Sequence, residues 1–264
     1  MKKCIVVTGA YGGMGYSTVK NLSESGYTVF ALDQKVRKAE PNVIPIETDV
    51  TDAGSVRRAF ERVKAETDEL TAIIHFAGIY RLDSLVEITE ERIREIFEVN
   101  LFGAYRINKE FLTLLKCGSR ILITTSELAP LSPLPFTGIY AITKSTLDRY
   151  AYSLRMELQL LGIYVSVIRP GAVKTALLSV STEELDRFCE NTELYTYNAD
   201  RFRKIVNRVE AKSVPPEAVA KTVLRALTVR KPKYVYSLNR NPFLRILNRL
   251  PARLQTFIIK RILK

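Results

Sequence analysis

The sequence has few cysteines and no long apolar run. Its three cysteines, Cys4, Cys117 and Cys189, are odd in number and widely spaced along 264 residues. That pattern argues against a disulfide framework or a metal site, and for reduced thiols in the cytoplasm. No stretch approaches the ~18 consecutive apolar residues that a membrane-spanning helix needs, and the apolar run from Cys4 is too short for a secretory signal peptide. The sequence therefore predicts a cytoplasmic protein.

Apolar residues are nevertheless abundant, at 47% of the chain, which excludes disorder as the overall state. Short apolar runs alternate with helix-length amphipathic segments, which predicts an α/β fold: a doubly wound, mostly parallel sheet with helices on both faces, in a single domain. The predicted strands are Cys4–Thr8, Thr28–Leu32, Val43–Ile46, Ala72–Phe76, Arg120–Thr125, Ile163–Ile168 and Lys233–Tyr236. The predicted helices are Gly15–Ser25, Ala53–Thr67 with Asp52 as N-cap, Thr89 to beyond Phe102, Ile139–Leu161, one or two between Arg187 and Val209, and Pro216–Val229.

Positive charge is concentrated at the C-terminus. Residues 230–264 contain ten Lys or Arg and no Asp or Glu, so the chain before them has 30 basic and 28 acidic groups. Large apolar residues alternate with these cations, which predicts a basic amphipathic helical extension, residues 239–264, interrupted at Pro251. Three interpretations stay open: packing on the protein or a second subunit, peripheral contact with an anionic membrane, and nucleic-acid binding. The last is disfavoured, because no recognised nucleic-acid module accompanies the charge.

A glycine-rich segment, Thr8-Gly9-Ala10-Tyr11-Gly12-Gly13-Met14-Gly15, lies between the first predicted strand and the first helix. Glycines at 9, 13 and 15 allow a tight turn and close approach of the backbone to a pyrophosphate. The helix that follows would direct free N–H groups at the phosphates. Strand, glycine loop and helix in this order predict a dinucleotide site.

Asp33 ends the second predicted strand, where a carboxylate can accept hydrogen bonds from the hydroxyls of an adenosine ribose. It would also repel the extra phosphate of NADP. The sequence therefore predicts that NAD is preferred over NADP, although Lys35, Arg37 and Lys38 lie close enough to weaken the preference.

Tyr140 and Lys144 are spaced so that both side chains project from one face of a helix. A tyrosine has an ordinary pKa near 10 and is a poor base at neutral pH. A neighbouring ammonium, together with the positive nicotinamide of an oxidised dinucleotide, is expected to stabilise the phenolate and lower that pKa.

Together with the glycine loop, this pair resembles the short-chain dehydrogenase/reductase family over nearly the whole chain, with a Rossmann-type fold. The resemblance implies an active-site tetrad: Tyr140 as general acid/base, Ser126 holding the substrate oxygen, Lys144 binding the nicotinamide ribose, and Asn100 positioning a water for proton relay. It implies a cofactor site that includes Gly9, Tyr11, Gly13, Met14, Gly15, Asp33, Asp49, Val50, Ala77, Gly78, Asn100, Tyr140, Lys144, Pro170, Gly171, Val173 and Thr175. A homodimer or homotetramer is expected by the same analogy.

Two departures from the family pattern stand out. His75-Phe76 replaces the usual Asn-Asn before Ala77-Gly78, and we interpret His75, the single histidine, as structural. The interval from Ser126 to Tyr140 is one residue longer than usual and rich in proline, which leaves Thr125 as an alternative to Ser126.

The substrate is expected to be bound under a lid at about residues 176–212, inside a catalytic domain of residues 1–238. The lid carries Leu177, Leu178, Phe188, Leu194, Tyr195, Tyr197 and Phe202, which favours a hydrophobic alcohol or ketone. Arg187, Arg201 and Arg203 would weaken that preference if they pointed into the pocket. With the C-terminal Arg230–Ser237 segment, the chain resembles the retinol and hydroxysteroid dehydrogenase branch. The alternatives are a sugar-nucleotide-type epimerase or dehydratase, and a non-catalytic NAD(H) sensor.

Overall fold

Seven parallel strands form the centre of the protein. A computed structural model describes residues 3–210 and 212–264, with the backbone alone for 176–179, 209 and 210. The strands are β1 (Cys4–Thr8), β2 (Thr28–Asp33), β3 (Val43–Glu47), β4 (Leu70–His75), β5 (Leu115–Thr124), β6 (Tyr164–Pro170) and β7 (Val235–Leu238). They are arranged β3-β2-β1-β4-β5-β6-β7, and every pair is parallel. The predicted doubly wound sheet is confirmed.

Helices cover both faces of this sheet. In order along the described chain, the helices of the protein are α1 (Gly13–Glu24), α2 (Ala53–Lys64), α3 (Glu90–Phe97), α4 (Gly103–Phe111), α5 (Gly138–Leu158), α6 (Ala176–Asn191), α7 (Thr196–Glu210), α8 (Pro216–Thr228), α9 (Pro242–Leu247) and α10 (Ala252–Leu263). Val56, Ile107 and Leu147 of α2, α4 and α5 pack on one face, whereas α1 and α8 pack on the other through Val19 and Val223. Two apolar layers therefore bury the continuous hydrophobic runs of the strands.

Local signals explain where the helices begin. The Asp52 carboxylate accepts a hydrogen bond from Gly54 N at 2.8 Å, so it is the predicted N-cap of α2. The predicted helix that runs beyond Phe102 is also present, but it contains a π-helical turn at Glu98–Phe102 between α3 and α4. Pro216 begins α8, where a missing N–H costs nothing.

Two boundaries differ from the prediction by five residues or more. Strand β5 begins at Leu115 and not at Arg120, because exposed Lys116 to Gly118 interrupt the apolar pattern and the register with β4 shifts there. The lid consists of two helices, α6 and α7, and the first begins at Ala176, well before Arg187. Among the described residues, no helix is both long and apolar enough to span a bilayer.

The register brings the carboxyl ends of the central strands level with one another. Thr8 at the end of β1 pairs with Leu32 of β2 on one side and with His75 of β4 on the other. The loops that follow β1, β2 and β4 therefore meet at one edge of the sheet, which is where doubly wound folds bind ligands.

Candidate active site

A cavity of about 240 Å³ lies at this edge of the sheet. Met14, Gly78, Ser126, Tyr140 and Lys144 line it, and the loop after β6 contributes Pro170, Gly171, Val173 and Thr175. The structure therefore brings these predicted site residues together in one place. The other predicted site residues lie outside its walls: Gly9, Tyr11, Gly13, Gly15, Asp33, Asp49, Val50, Ala77 and Asn100.

The backbone of the glycine loop packs closely against itself and against the loop after β4. Gly9 has φ +63°, and a Cβ there would come within 2.5 Å of Ala77 N. A Cβ on Gly15 would come within 2.0 Å of the Gly9 carbonyl oxygen. These two glycines are required by the fold of the loop, in addition to the predicted approach of a phosphate.

Gly13 serves a different contact. A Cβ at this position would lie 2.6 Å from the Thr175 side chain, so the glycine loop and the loop after β6 touch directly. Helix α1 begins here with Gly12 as N-cap, without a side-chain cap and without an acidic residue in its first turn. The positive end of the helix dipole is therefore directed into the site, as an anion requires.

Asp33 and Asp49 stand at the ends of two neighbouring strands. Asp33 Oδ2 accepts a hydrogen bond from Tyr11 N at 2.8 Å, which joins the second strand to the glycine loop. Asp49 Oδ1 accepts from the amide and the hydroxyl of Thr51, at 2.8 and 2.7 Å. Burial alone would raise the pKa of Asp49, but these hydrogen bonds outweigh it and lower the pKa.

Val50, next to Asp49, anchors the third strand's loop. It is buried, and a Cβ on Gly103 at the start of α4 would come within 2.7 Å of Val50 Cγ2. Ala77, in the loop after β4, donates a hydrogen bond from its N–H to Thr8 Oγ1 at the end of β1, at 3.4 Å. Close contacts thus tie the loop after β3 to α4 and the loop after β4 to the end of β1.

Tyr140 and Lys144 lie on α5, with exposed fractions of 9% and 6%. The Lys144 Nζ is 5.8 Å from the centroid of the Tyr140 ring and donates to the carbonyl oxygen of Thr124 at 3.3 Å. Burial lowers the pKa of Lys144 to about 8.

The pKa of Tyr140 in the protein alone lies above its ordinary value. Burial raises it to about 12, and a hydrogen bond with the Ser126 side chain opposes that rise only in part. In the protein alone, burial of the phenol therefore outweighs this hydrogen bond. The decrease expected from Lys144 together with an oxidised dinucleotide stays a prediction.

Ser126 and Thr125 have different surroundings. The Ser126 side chain shares a hydrogen bond with Tyr140, and its Oγ also accepts from Leu128 N at 3.1 Å. The Thr125 hydroxyl instead contacts Asp148 Oδ1 at 3.2 Å, and Asp148 is held by Arg169 at 2.7 Å. The two hydroxyls thus belong to separate networks, and that of Ser126 includes Tyr140.

Asn100 sits in the π-helical turn and is almost fully buried. Its Oδ1 accepts from Ile79 N at 2.8 Å, while its Nδ2 donates to Ile79 O at 3.0 Å and to Thr143 Oγ1 at 3.3 Å. A Cβ on Gly78 would lie 3.1 Å from Asn100 Oδ1 and 3.3 Å from Lys144 Nζ. The amide of Asn100 therefore holds the loop after β4 close to Lys144.

His75 lies at the end of β4, buried beneath the site. Its Nε2 lies 2.8 Å from Asn108 Oδ1, and burial lowers its pKa to about 4. The ring is neutral at physiological pH, and Nε2 donates to Asn108. This contact fits the structural role predicted for His75.

Several residues at the site had no signal in the sequence. The Tyr80 ring lies 4.7 Å from that of Tyr140. Glu127 lines the cavity, and its Oε2 accepts from Asn241 N at 2.7 Å, while burial raises its pKa. Leu244, in the C-terminal extension, closes part of the wall. Tyr80 meets Tyr140, and Leu244 meets the cavity, through contacts between distant parts of the chain, whereas Glu127 follows Ser126 directly and is linked there to Asn241.

The lid covers the cavity through an apolar cluster of its own. This lid cluster consists of Leu82, Phe136, Leu185, Phe188, Ala199 and Phe202. Phe136 has φ +65°, an unusual conformation for a bulky residue, and its ring packs against Phe188 and Phe202 with centroids 4.5 and 5.1 Å away. The proline-rich interval between Ser126 and Tyr140 thus ends in a residue fixed by the lid. The side chains of Leu177 and Leu178 lie outside the described residues.

Most of the chain matches a known protein family. The family model described as short chain dehydrogenase matches residues 3–186. This chain belongs to the short-chain dehydrogenase family. It is an oxidoreductase that acts on CH–OH groups, and the family's dinucleotide is NAD or NADP.

Several relatives of this short-chain dehydrogenase align with it over most of both chains. Estradiol 17-beta-dehydrogenase 2 of Mus musculus is 28% identical, over 98% of this chain and 74% of the relative. The uncharacterized oxidoreductase YbbO of Escherichia coli is 30% identical, over 89% and 85%. A short-chain dehydrogenase from Burkholderia cenocepacia, solved in complex with NADP, superposes with a TM-score of 0.73 at 23% identity, over 100% of this chain and 98% of that one.

Proposed function

We propose that this short-chain dehydrogenase transfers a hydride between NAD and a hydrophobic secondary alcohol or ketone, of the steroid or retinoid kind. The observation that carries the proposal is the placement of Tyr140, Ser126 and Lys144 together on the wall of a mostly apolar cavity. A site that only bound the dinucleotide would have no use for a buried phenol and hydroxyl beside its substrate space.

The residues present fit a dinucleotide. The glycine loop and the uncapped start of α1 would hold the pyrophosphate, and the Asp33 carboxylate, fixed by Tyr11 N, would accept hydrogen bonds from the adenosine ribose. The loop from Pro170 to Thr175 would bind the nicotinamide end. When bound, the dinucleotide supplies or accepts the hydride.

Proton transfer is assigned to Tyr140. With a pKa of about 12 the phenol is protonated at neutral pH, so it is ready to donate a proton to a carbonyl oxygen that Ser126 holds. In the direction of alcohol oxidation the phenol must lose its proton, which requires positive charge nearby. Lys144, with a pKa of about 8, is mostly an ammonium at pH 7 and supplies that charge.

Asn100 is proposed to act as a positioning residue. Its amide is occupied by Ile79 and Thr143, so it fixes the loop that carries Gly78 beside Lys144. The resemblance also implies that Asn100 takes part in a proton relay through water. We propose that its contribution to this relay is to keep the Gly78 loop in position beside Lys144.

The cavity walls favour an apolar substrate. Phe76, Ile79, Leu134, Phe202, Val206 and Leu244 line it, and within the described residues Glu127 and Lys144 are the charged side chains that do so. The three lid arginines lie elsewhere: Arg187 binds Asp83 and Arg203 pairs with Asp186, while Arg201 is exposed. These arginines therefore do not weaken the proposed preference for a hydrophobic substrate.

Tyr140→Phe tests the assignment of the acid/base. The ring and its packing remain while the hydroxyl is lost, so kcat for oxidation of a steroid, retinoid or aliphatic alcohol panel should fall about 100- to 10,000-fold. NADH absorbance gives the rate, and NADH fluorescence titration gives the cofactor Kd, which should stay within about threefold of the wild type.

Tyr152→Phe, on the same helix and about half exposed, is the matched control and should keep its activity. Unchanged turnover by Tyr140→Phe would contradict the mechanism. A wild-type protein that bound NADH tightly and turned over none of the panel would favour the sensor interpretation.

The preference for NAD is tested at Asp33. The double variant Asp33→Asn/Gln34→Arg keeps an acceptor for Tyr11 N, removes the negative charge and adds a partner for a phosphate. The ratio of kcat/KM for NADP to that for NAD should rise at least about tenfold, since one charge pair at contact contributes up to ~4 kcal/mol. Gln34→Arg alone is the control, and an unchanged ratio in the double variant would contradict the role of Asp33.

A further inference from the structure

The C-terminal extension is fixed on the body by specific contacts. Leu247 of α9 is buried, and the Asn248 side chain accepts a hydrogen bond from Ser132 N at 2.7 Å. At the far end, Leu263 packs against the lid cluster and its carbonyl accepts from Asn198 Nδ2 at 2.7 Å. Helices α9 and α10 therefore have a defined orientation, with one side held by the protein.

The extension also exposes large apolar residues. Phe243 and Ile246 of α9 are 54% and 61% exposed, and Phe257 of α10 is 66% exposed. Leu254 and Ile262 are 43% and 40% exposed. We call these five residues the C-terminal surface. Exposed apolar side chains grouped in this way mark an interaction site more often than singly scattered ones do.

The segment that carries the C-terminal surface also carries exposed cations. Arg245, Arg249, Arg253, Lys260, Arg261 and Lys264 are all exposed. Within the described part of the chain none of these six takes part in an ion pair, and residues 230–264 contain no acidic side chain. The positive charge of the extension is therefore available to an external anionic partner.

The same segment adjoins the active site. Leu244, next to Phe243, lines the catalytic cavity. Phe243 and Ile262 line a second cavity of about 530 Å³, together with Arg208, Lys212 and Arg240. The two cavities share Glu127, Ala172 and Ile205 as common wall. The space beside the catalytic residues therefore continues towards the C-terminal surface.

We propose that the C-terminal surface docks this enzyme on anionic lipid bilayers. Phe243, Ile246 and Phe257 would enter the interface between headgroups and acyl chains, and the cations of the same segment would contact acidic headgroups. In this orientation the second cavity faces the membrane. The docking does not depend on which substrate the catalytic cavity takes.

Charge and apolar exposure together favour lipid over other occupants. Binding of a nucleic acid through its phosphates uses cations and gains nothing from exposed aliphatic residues. A second copy of this chain would bring the same excess of positive charge to a two-fold contact, which is unfavourable. An anionic bilayer uses both features of the surface.

Vesicle flotation of the full-length protein tests the proposal. We expect the wild type to float with vesicles of phosphatidylcholine and phosphatidylglycerol at about two to one, to stay behind with pure phosphatidylcholine, and to lose binding as salt rises. Arg249→Glu/Lys260→Glu should lower the partition coefficient at least about tenfold, since one cation near such a surface contributes about fivefold. Ile246→Ser/Phe257→Ser should lower it by a similar factor, because it removes two apolar side chains that would enter the bilayer interface.

Matched controls change equally exposed residues elsewhere. Leu160→Ser/Leu161→Ser replaces apolar residues that are 84% and 58% exposed, and Lys20→Glu/Lys221→Glu makes the same change of charge on α1 and α8. All four variants should keep the wild-type thermal unfolding, and both controls should float normally.

Several results would overturn the proposal. They are a wild type that stays unbound, equal flotation with neutral vesicles, and controls that lose as much binding as the tail variants. A homodimer that Ile246→Ser/Phe257→Ser dissociates without loss of flotation would assign the surface to a second copy. Oligonucleotide binding that Arg249→Glu/Lys260→Glu abolishes, with flotation intact, would assign the charge to nucleic acid.

Discussion

Burial sets the protonation of three single residues around the active site. It raises the pKa of Tyr140 to about 12 and lowers those of Lys144 and His75 to about 8 and about 4. In each case the uncharged form is favoured, because water is excluded. Tyr140 and Lys144 line the cavity, so the proposed cofactor's positive charge would act on them. His75 contacts Asn108 beneath the cavity and stays neutral.

His75 predicts an acid sensitivity of the fold. The unfolded chain takes up a proton near pH 6.5 and the native ring only near pH 4, so stability is complete above pH 6.5 and is lost as the pH falls towards 4. Between pH 7 and pH 5 this single group should cost about 2 kcal/mol of unfolding free energy. Urea unfolding measures that cost, and the ring signal of the single histidine in NMR reports its pKa directly.

The control is His75→Gln, which retains a donor for Asn108 and does not titrate. The variant should lose less stability than the wild type between pH 7 and pH 5. An NMR pKa close to 6.5 in the native protein would contradict the buried, neutral state of the ring.

Single elements carried the clearest signals in the sequence. The glycine loop, the N-cap at Asp52 and the pair on α5 are each encoded by neighbouring residues, so their local geometry follows from the sequence. The π-helical turn at Glu98–Phe102 has no comparable signal, because its helix has the same apolar spacing as an ordinary one. It turns Asn100 towards Ile79, a contact that joins two separate elements.

Gly15→Ala should disrupt the loop that precedes α1. Its Cβ would lie 2.0 Å from the Gly9 carbonyl oxygen, and this atom is backbone that cannot turn away. We expect a loss of at least about 2 kcal/mol in the free energy of unfolding, measured by urea titration.

Gly12→Ala provides the comparison in the same loop. Gly12 has φ −69°, and a Cβ there would come no closer than 3.5 Å to Gly9 O. Its cost should be about 1 kcal/mol or less. Similar losses for the two variants would show that the clash at Gly15 is relieved by movement of the loop.

At the scale of the whole molecule, a cluster of charges joins the lid to the body. Glu184 of α6 is 8% exposed and lies 2.6 Å from Arg92 and 3.3 Å from both Arg81 and Arg187. Asp83 also pairs with Arg187 at 2.7 Å. Three arginines share two buried carboxylates, so the position of α6 depends on this balance of charge.

Glu184→Gln should loosen the lid. The variant keeps the shape of the side chain but leaves the three arginines short of a counter-charge, and we expect about 3 kcal/mol of destabilisation. Hydrogen exchange in α6 and α7 should become faster, while strand exchange in β1 and β4 stays unchanged. Asp186→Asn, also on α6, breaks a half-exposed ion pair with Arg203 of α7 and should lower the free energy of unfolding by less than about 1 kcal/mol. Equal effects of the two variants would contradict the proposed role of Glu184.

The limits of the sequence-based predictions follow from distance along the chain. Strand order and the two faces of the sheet were predictable, because alternating strands and helices leave few topologies. The contacts of Tyr80 with Tyr140 and of Glu127 with Asn241 were not, since nothing in either local pattern specifies its partner. The same holds for the pKa of Tyr140, which depends on everything packed around it. The homo-oligomer expected from the family stays a prediction.

The contact between Gly13 and Thr175 has a consequence for natural and laboratory evolution. A side chain larger than hydrogen at 13 collides with residue 175, which lies across the cleft. A side chain at 13 should therefore be accepted only together with a smaller residue at 175. Libraries that randomise residue 13 alone would sample mainly inactive proteins, whereas paired randomisation of 13 and 175 would open routes to altered nucleotide use.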